Sequence, residues 1–228
     1  MLDGIDVSDW QKRINWPEVL NSGIAFAFVK ASQGYDRSPY AYLDPSWDRN
    51  SKALRSSSLP WGAFHFAVPS SSPTKQAEFF APLARLGTLP PALDIERHAS
   101  LPDAELDDWA AEFLTTLQNL TGRTPIVYTN VDIGDRLKSA GKYPLWIANP
   151  GNRGAPNPAA RPSMPKHWKT WLFWQFSWTG SIPGISKRVD LDRFAGSLQD
   201  LQALCSGAAP VATIEERLSR LERAVFGA

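Results

Sequence analysis

Short apolar runs with strand character alternate with five stretches able to form helices, and then further strand-like runs follow with no helix between them. The runs cover residues 4–8, 25–32, 61–68, 92–96, 126–130, 145–149, 172–177 and 188–192, most of them apolar or β-branched and bounded by turn residues. Asn15, Pro17 and Glu18 read as the start of a first helix that ends at Gly23. A second segment opens at Asp44-Pro45 and runs through Leu54. A third opens at Ser72-Pro73-Thr74 and places Ala77, Phe80, Leu83 and Ala84 at helical spacing. The clearest helix starts near Ser100, with Asp103 completing a capping arrangement, and runs to Gly122; Leu106, Trp109, Ala110, Phe113, Leu114 and Leu117 form its apolar stripe. A shorter fifth segment spans 131–140. The stretches 149–165, dense in Pro, Gly and Asn, and 178–186, rich in turn residues, disfavour helix.

Strands alternating with helices imply parallel βαβ units joined by right-handed crossovers. The pattern predicts an α/β fold, a modified TIM-like barrel of five β/α units followed by three β-strands; an open sheet with a covering loop is the competing topology. In both, ligands bind beyond the carboxyl ends of the strands.

The barrel is expected over residues 1–206, followed by a linker over 207–212 and an amphipathic C-terminal helix over 213–226. In that helix Ile214, Leu218, Leu221 and Val225 make one apolar seam with charged flanks. About two heptads are marginal alone, so the seam predicts either docking on the barrel or self-association.

With 24 Lys plus Arg against 23 Asp plus Glu, the net charge of +1 supplies no field for nucleic acid or anionic membrane, and neither is expected as a partner. No stretch is apolar enough to span a bilayer. Cys205 is the single cysteine, and no Cys and His spacing suggests a zinc site; no metal or other cofactor is expected.

The chemistry concentrates at Asp94-Ile95-Glu96, which ends an apolar run. In a strand, residues two apart face the same side with Cβ atoms roughly 6–7 Å apart. Two carboxyls that close resist ionising together, so one keeps its proton near neutral pH. That is the equipment for cleaving a glycosidic bond: one carboxyl protonates the leaving oxygen while the other supports a cationic centre. Asp6 near the end of the first strand and Asp190 in the last would adjoin in a closed barrel and face this pair. Tyr128, Trp146 and Gln175 are candidates for the ligand groove, each with an equally good structural role in the barrel, and His65 reads as a hydrogen-bonded interior histidine.

Gly4-Ile5-Asp6-Val7-Ser8 with Trp10, Phe28-Val29-Lys30-Ala31-Ser32, Gly62-Ala63-Phe64-His65-Phe66, Ala92-Leu93-Asp94-Ile95-Glu96, Leu145-Trp146-Ile147-Ala148 and Trp174-Gln175-Phe176-Ser177 with Val189-Asp190-Leu191 resemble the glycoside hydrolase family 25 muramidases over about residues 2–195. The resemblance implies the barrel just described and hydrolysis of the β-1,4 bond between N-acetylmuramic acid and N-acetylglucosamine in bacterial peptidoglycan. It makes Glu96 the proton donor and Asp94 the acid beside it, with Asp6 and Asp190 as flanking carboxylates. Asp192 matches an acidic position of the last motif as well, and i, i+2 residues can share a face. Phe64 stands where the family usually has Tyr, Ser32-Gln33 where it often has Thr-Glu, and Pro150 where an aromatic is common. Phe64, Tyr128, Trp146 and Gln175 are the expected substrate contacts.

Three mechanisms fit the pair: a carboxylate nucleophile, an inverting displacement, and participation of the substrate's own acetamido group with Asp94 orienting it. The last suits two adjacent acids acting on one sugar. A divalent-metal-dependent phosphoester hydrolase using the same carboxylates and a non-catalytic wall-binding module are the competing functions. Because Met1-Leu2-Asp3-Gly4 leads directly into the first strand, the expectation is a protein held in the cytoplasm until released to the wall, in the manner of a phage endolysin, or a secreted one if a leader was removed.

Overall fold

A computed structural model describes residues 1–35, 41–157, 159 and 161–207. In chain order the elements are β1 (Leu2–Val7), α1 (Trp16–Leu20), β2 (Ala27–Gln33), β3 (Tyr42–Leu43), α2 (Trp47–Arg55), β4 (Trp61–Phe66), α3 (Pro73–Ala84), β5 (Ala92–Asp94), α4 (Asp103–Thr121), β6 (Ile126–Asn130), α5 (Val131–Gly134), β7 (Leu145–Ala148), β8 (Phe173–Gly180), β9 (Val189–Phe194) and α6 (Leu198–Cys205).

The strands β1, β2, β4, β5, β6, β7 and β8 pair in parallel, and β9 closes the ring by pairing antiparallel with both β8 and β1. The result is a closed eight-stranded barrel, and the open sheet is excluded. Five helices, α1 to α5, bridge the parallel strands up to β7, and the links from β7 to β8 and from β8 to β9 contain no α-helix among the described residues. The short β3 is an unforeseen addition, antiparallel to β2 and outside the ring.

Alternation along each strand divides the core in two. Outward residues such as Val29, Leu93, Val127 and Ile147 pack under the helices, where all six predicted stripe residues of α4 are buried. Inward residues such as Phe26, Phe28, Phe173 and Phe194 fill the barrel, joined by Leu201 and Leu204 of α6. Close strand contact with these rings requires Gly62, where a Cβ would lie 2.5 Å from the Phe28 ring.

Some local expectations are corrected. α4 begins at Asp103 with Pro102 at its N-cap, and Ser100 makes no cap; its φ of 64° puts it in a left-handed turn instead. The fifth segment breaks after one turn and resumes as a 3-10 turn at Ser139–Lys142. α6 was not anticipated, although Ser197 and Asp200 form a reciprocal capping box at its start. No helix among the described residues is long and apolar enough to cross a membrane. The predicted helix at 213–226, with its seam of Ile214, Leu218, Leu221 and Val225, lies outside the described residues, as does the linker from residue 208.

Candidate active site

The carboxyl ends of the parallel strands surround a cavity of about 160 Å³. All eight residues singled out from the sequence line it: Asp6, Phe64, Asp94, Glu96, Tyr128, Trp146, Gln175 and Asp190. Ser8 and Lys30 line it too. A larger groove of about 1100 Å³ lies between α1 and the loop joining β8 to β9, but the only carboxylate lining it among the described residues, Glu18, accepts from the Asn15 side chain at 2.6 Å. The acids that can do chemistry are in the smaller cavity.

β5 stops at Asp94, yet its backbone stays pinned to β6 for one more residue. Ile95 N–H donates to the Tyr128 carbonyl at 2.9 Å, and the Thr129 hydroxyl donates to the Ile95 carbonyl at 2.8 Å. With Ile95 fully buried on the outer face, alternation brings Asp94 and Glu96 into the cavity together, within hydrogen-bonding reach of each other. Asp94 is the deeper of the two, and its Oδ1 is buried with no hydrogen-bond partner.

On the far side, Asp6 and Asp190 are register partners on β1 and β9. Asp192 also faces inward, one layer deeper: it is fully buried, and Trp146 Nε1–H donates to its Oδ1 at 2.8 Å. Asp190 is therefore the residue at the cavity wall and Asp192 the one beneath it. Gln175 connects the two sides, donating from Nε2 to Asp6 Oδ2 at 2.6 Å while its Oε1 accepts from Tyr128 Oη–H at 2.7 Å.

Five acids in so small a volume cannot all be ionised. Burial, followed by the charge of Asp192, pushes Asp6 well above the usual carboxylate range, with the Gln175 donor pulling the other way. Burial and then the Glu96 charge do the same to Asp94. Burial also lifts Glu96, but the nearby Arg97 and Lys30 cations and the hydrogen bond from Asp94 oppose it. Asp190 is pushed up to about 9 by burial and by Asp6. Asp192 is raised by burial against the Trp146 donor. Of the pair, the deeper Asp94 is pushed further up, while the cations near Glu96 oppose its rise.

The remaining candidates sort by depth. Trp146 is 1% exposed and stacked on Phe28 with ring centroids 4.4 Å apart, so it forms the cavity floor and offers a sugar little surface. Phe64 and Tyr128 are each 7% exposed and sit against the Trp146 ring. His65 faces the other way, under α3 and α4, fully buried against Phe80 and Phe113. Its Nε2–H donates to Gln76 Oε1 at 3.0 Å and its Nδ1 accepts from the Ser32 hydroxyl at 2.9 Å; burial holds its pKa down to about 4. It is a neutral structural group. Lys30 was passed over in the sequence, although a lone cation inside the apolar run of β2 was a legible signal. Its Nζ donates to Gln33 Oε1 at 2.9 Å and to Tyr42 Oη at 3.0 Å, which holds the charge beside the acids.

Comparison with known proteins gives a consistent picture. The family model described as Glycosyl hydrolases family 25 matches residues 5–185. The chain is 34% identical to Lysozyme M1 of Streptomyces globisporus, over 91% of this chain and 72% of that protein. It is 26% identical to the N,O-diacetylmuramidase of Chalaropsis sp, over 90% of this chain and 100% of that protein. Among solved structures it is similar to the bacterial lysozyme from Streptomyces coelicolor, with a TM-score of 0.79, 32% identity, and coverage of 91% of this chain and 98% of that one.

Proposed function

The chain belongs to family 25 of the glycosyl hydrolases, and from that premise we propose that Glu96 and Asp94 carry its reaction, Glu96 as proton donor and then base, Asp94 as the group that orients the substrate's acetamido. The protein is a peptidoglycan hydrolase, an N-acetylmuramidase that cleaves the β-1,4 bond between N-acetylmuramic acid and N-acetylglucosamine. Its partner is the bacterial glycan strand. The metal-dependent phosphoesterase and the non-catalytic module are set aside by this membership.

The observation that carries the assignment of roles is the unpartnered Asp94 Oδ1 beside Glu96. An acetamido N–H placed there gives the buried oxygen its missing donor and favours the ionised form of Asp94. The shared proton then passes to Glu96, the half-buried member of the pair and the one a glycosidic oxygen can reach. Substrate thus converts the resting arrangement into the reactive one.

In the first step Glu96 gives its proton to the leaving oxygen as the acetamido oxygen attacks the anomeric carbon, and the Asp94 carboxylate, hydrogen-bonded to the acetamido N–H, offsets the positive charge developing at that nitrogen. In the second, the Glu96 carboxylate removes a proton from water as that water attacks the same carbon and reopens the ring. Acetamido participation is an established departure from the two-carboxylate geometries. Asp6, Asp190 and Gln175 frame the opposite wall, where Tyr128 Oη, already donating to Gln175, keeps lone pairs to accept from a sugar hydroxyl. For the terminal seam of Ile214, Leu218, Leu221 and Val225 we propose self-association, to be checked by sedimentation over a range of concentrations; a constant monomer mass would end it.

Mass spectrometry of digested peptidoglycan tests the assignment of the bond. New reducing ends are expected on muramic acid, and new reducing ends on glucosamine would refute it.

A further inference from the structure

Trp178, near the end of β8, stands at the outer end of a polar chain that leads to the acids. The residue is 48% exposed, and Gly154 packs closely on it, leaving only 3.1 Å between Trp178 and a Cβ built at that glycine. Its Nε1–H donates to Gln175 Oε1 at 2.7 Å. The same oxygen accepts from Tyr128 Oη, and the Gln175 nitrogen donates to Asp6.

Gln175 is 2% exposed, so the direction of its amide decides what Asp6 meets. Two of its three neighbours would tolerate the amide reversed. A tyrosine hydroxyl donates or accepts, and a carboxyl accepts when ionised and donates when protonated. An indole N–H only donates. A reversed amide would point its own N–H at that donor and leave two hydrogens facing each other with no acceptor between them, which is costly.

We propose that Trp178 is a positioning residue that fixes the Gln175 amide with its oxygen outward and its nitrogen toward Asp6, so that Asp6 is held as a hydrogen-bond acceptor. The groups facing Asp6 are Asp190 and Asp192 from β9, Gln175 from β8, Tyr128 from β6, Asp94 at the end of β5 and Glu96 just beyond it. Gln175 is the neighbour among these that favours the ionised form of Asp6. Reversal of the amide would withdraw the donor that opposes the rise of Asp6 and so weaken the charge that Asp6 exerts on Asp94. The inference deepens the proposed function, since it concerns the same site, but the direction of the amide does not depend on which acid delivers the proton.

Trp178→Phe keeps an aromatic ring and deletes the N–H. Carbon-13 NMR of the side-chain carboxyls should show the Asp6 titration midpoint rising by roughly 0.5–1 pH unit, and the Gln175 side-chain amide should exchange its hydrogens faster. In wall lysis kcat should fall several-fold with KM changed less than about twofold, because the positioning acts on the acids and not on binding. An unchanged Asp6 titration and unchanged amide exchange would overturn the proposal. If Trp178→Phe fails to fold, Gln175→Met removes the donor at similar volume and should raise the Asp6 midpoint likewise; no rise there would also overturn it. Should Glu96 prove not to be the acid, the NMR result is still expected, so failure of the mechanism and failure of this inference are separable.

Discussion

Asp6 and Asp190 sit directly opposite each other where the first and last strands of the barrel meet in antiparallel register. Side chains at opposed positions of an antiparallel pair have Cβ atoms about 4.5–5.5 Å apart, a distance at which like charges destabilise. The barrel accepts that cost because both point into the cavity. The same closure brings Gln175, 169 residues away in sequence, within 2.6 Å of Asp6.

Burial of Asp190, reinforced by Asp6 opposite it, makes stability depend on pH. The folded-state pKa of Asp190, at about 9, lies far above that of an unfolded aspartate, so between about pH 4 and 9 the folded chain holds an extra proton. The stabilising contribution is full below pH 4 and is lost as pH rises through 9. Asp190→Asn cannot ionise, so relative to wild type it should gain roughly 1–3 kcal/mol between pH 5 and 8, a modest fraction of the full shift because the group is only partly buried. Thermal melts across that range check it; parallel curves for the two proteins would contradict the buried-acid account.

Glu96→Gln removes the transferable proton and conserves shape. Activity on purified walls should drop by about 10²–10⁴-fold with the melting temperature nearly unchanged. Asp94→Asn should also be severely impaired, because an amide cannot accept the positive charge of the acetamido nitrogen. Near-wild-type turnover by Glu96→Gln would mean that another group delivers the proton.

Participation of the acetamido group implies two displacements at the anomeric carbon. Proton NMR of freshly released product should show the β-anomer first, before mutarotation. Initial release of the α-anomer would mean a single inverting displacement and would remove Asp94 from its orienting role.

Gly62 tests the barrel interior separately from the chemistry. Alanine there would press a methyl group onto the Phe28 ring, itself fully buried among Phe26, Phe173 and Trp146 and unable to yield. Gly62→Ala should cost about 1–3 kcal/mol in denaturant unfolding. Phe28→Leu in the same chain should recover part of that loss, a coupling that a double-mutant cycle measures. Additive effects would place the strain elsewhere.

Much of the fold was legible because its signals are local. A strand alternates every two residues and a helix every three to four, so the stripe of α4 and the five β/α units can be read from apolar spacing alone. The side on which Asp94 and Glu96 fall follows from the same alternation, and the positions of Asp6 and Asp190 follow from strand order. Signals with equally local expression were passed over at α6, whose Ser197 and Asp200 box precedes Leu201 and Leu204, and at Lys30 within β2.

Depth was not legible, because it is a property of the closed barrel and not of any segment. Whether an aromatic is a platform or a floor depends on what the opposite strands bring against it, which is how Trp146 comes to lie beneath the cavity while Trp178 stays half exposed. The order of proton affinities within the acid cluster is set in the same way. Desolvation acts on each carboxyl according to the surroundings supplied by distant strands, and it raises the deeper Asp94 most clearly of the pair. The sequence by itself determined which residues meet at the mouth; tertiary closure decided how far each is removed from water, and so which of them is charged.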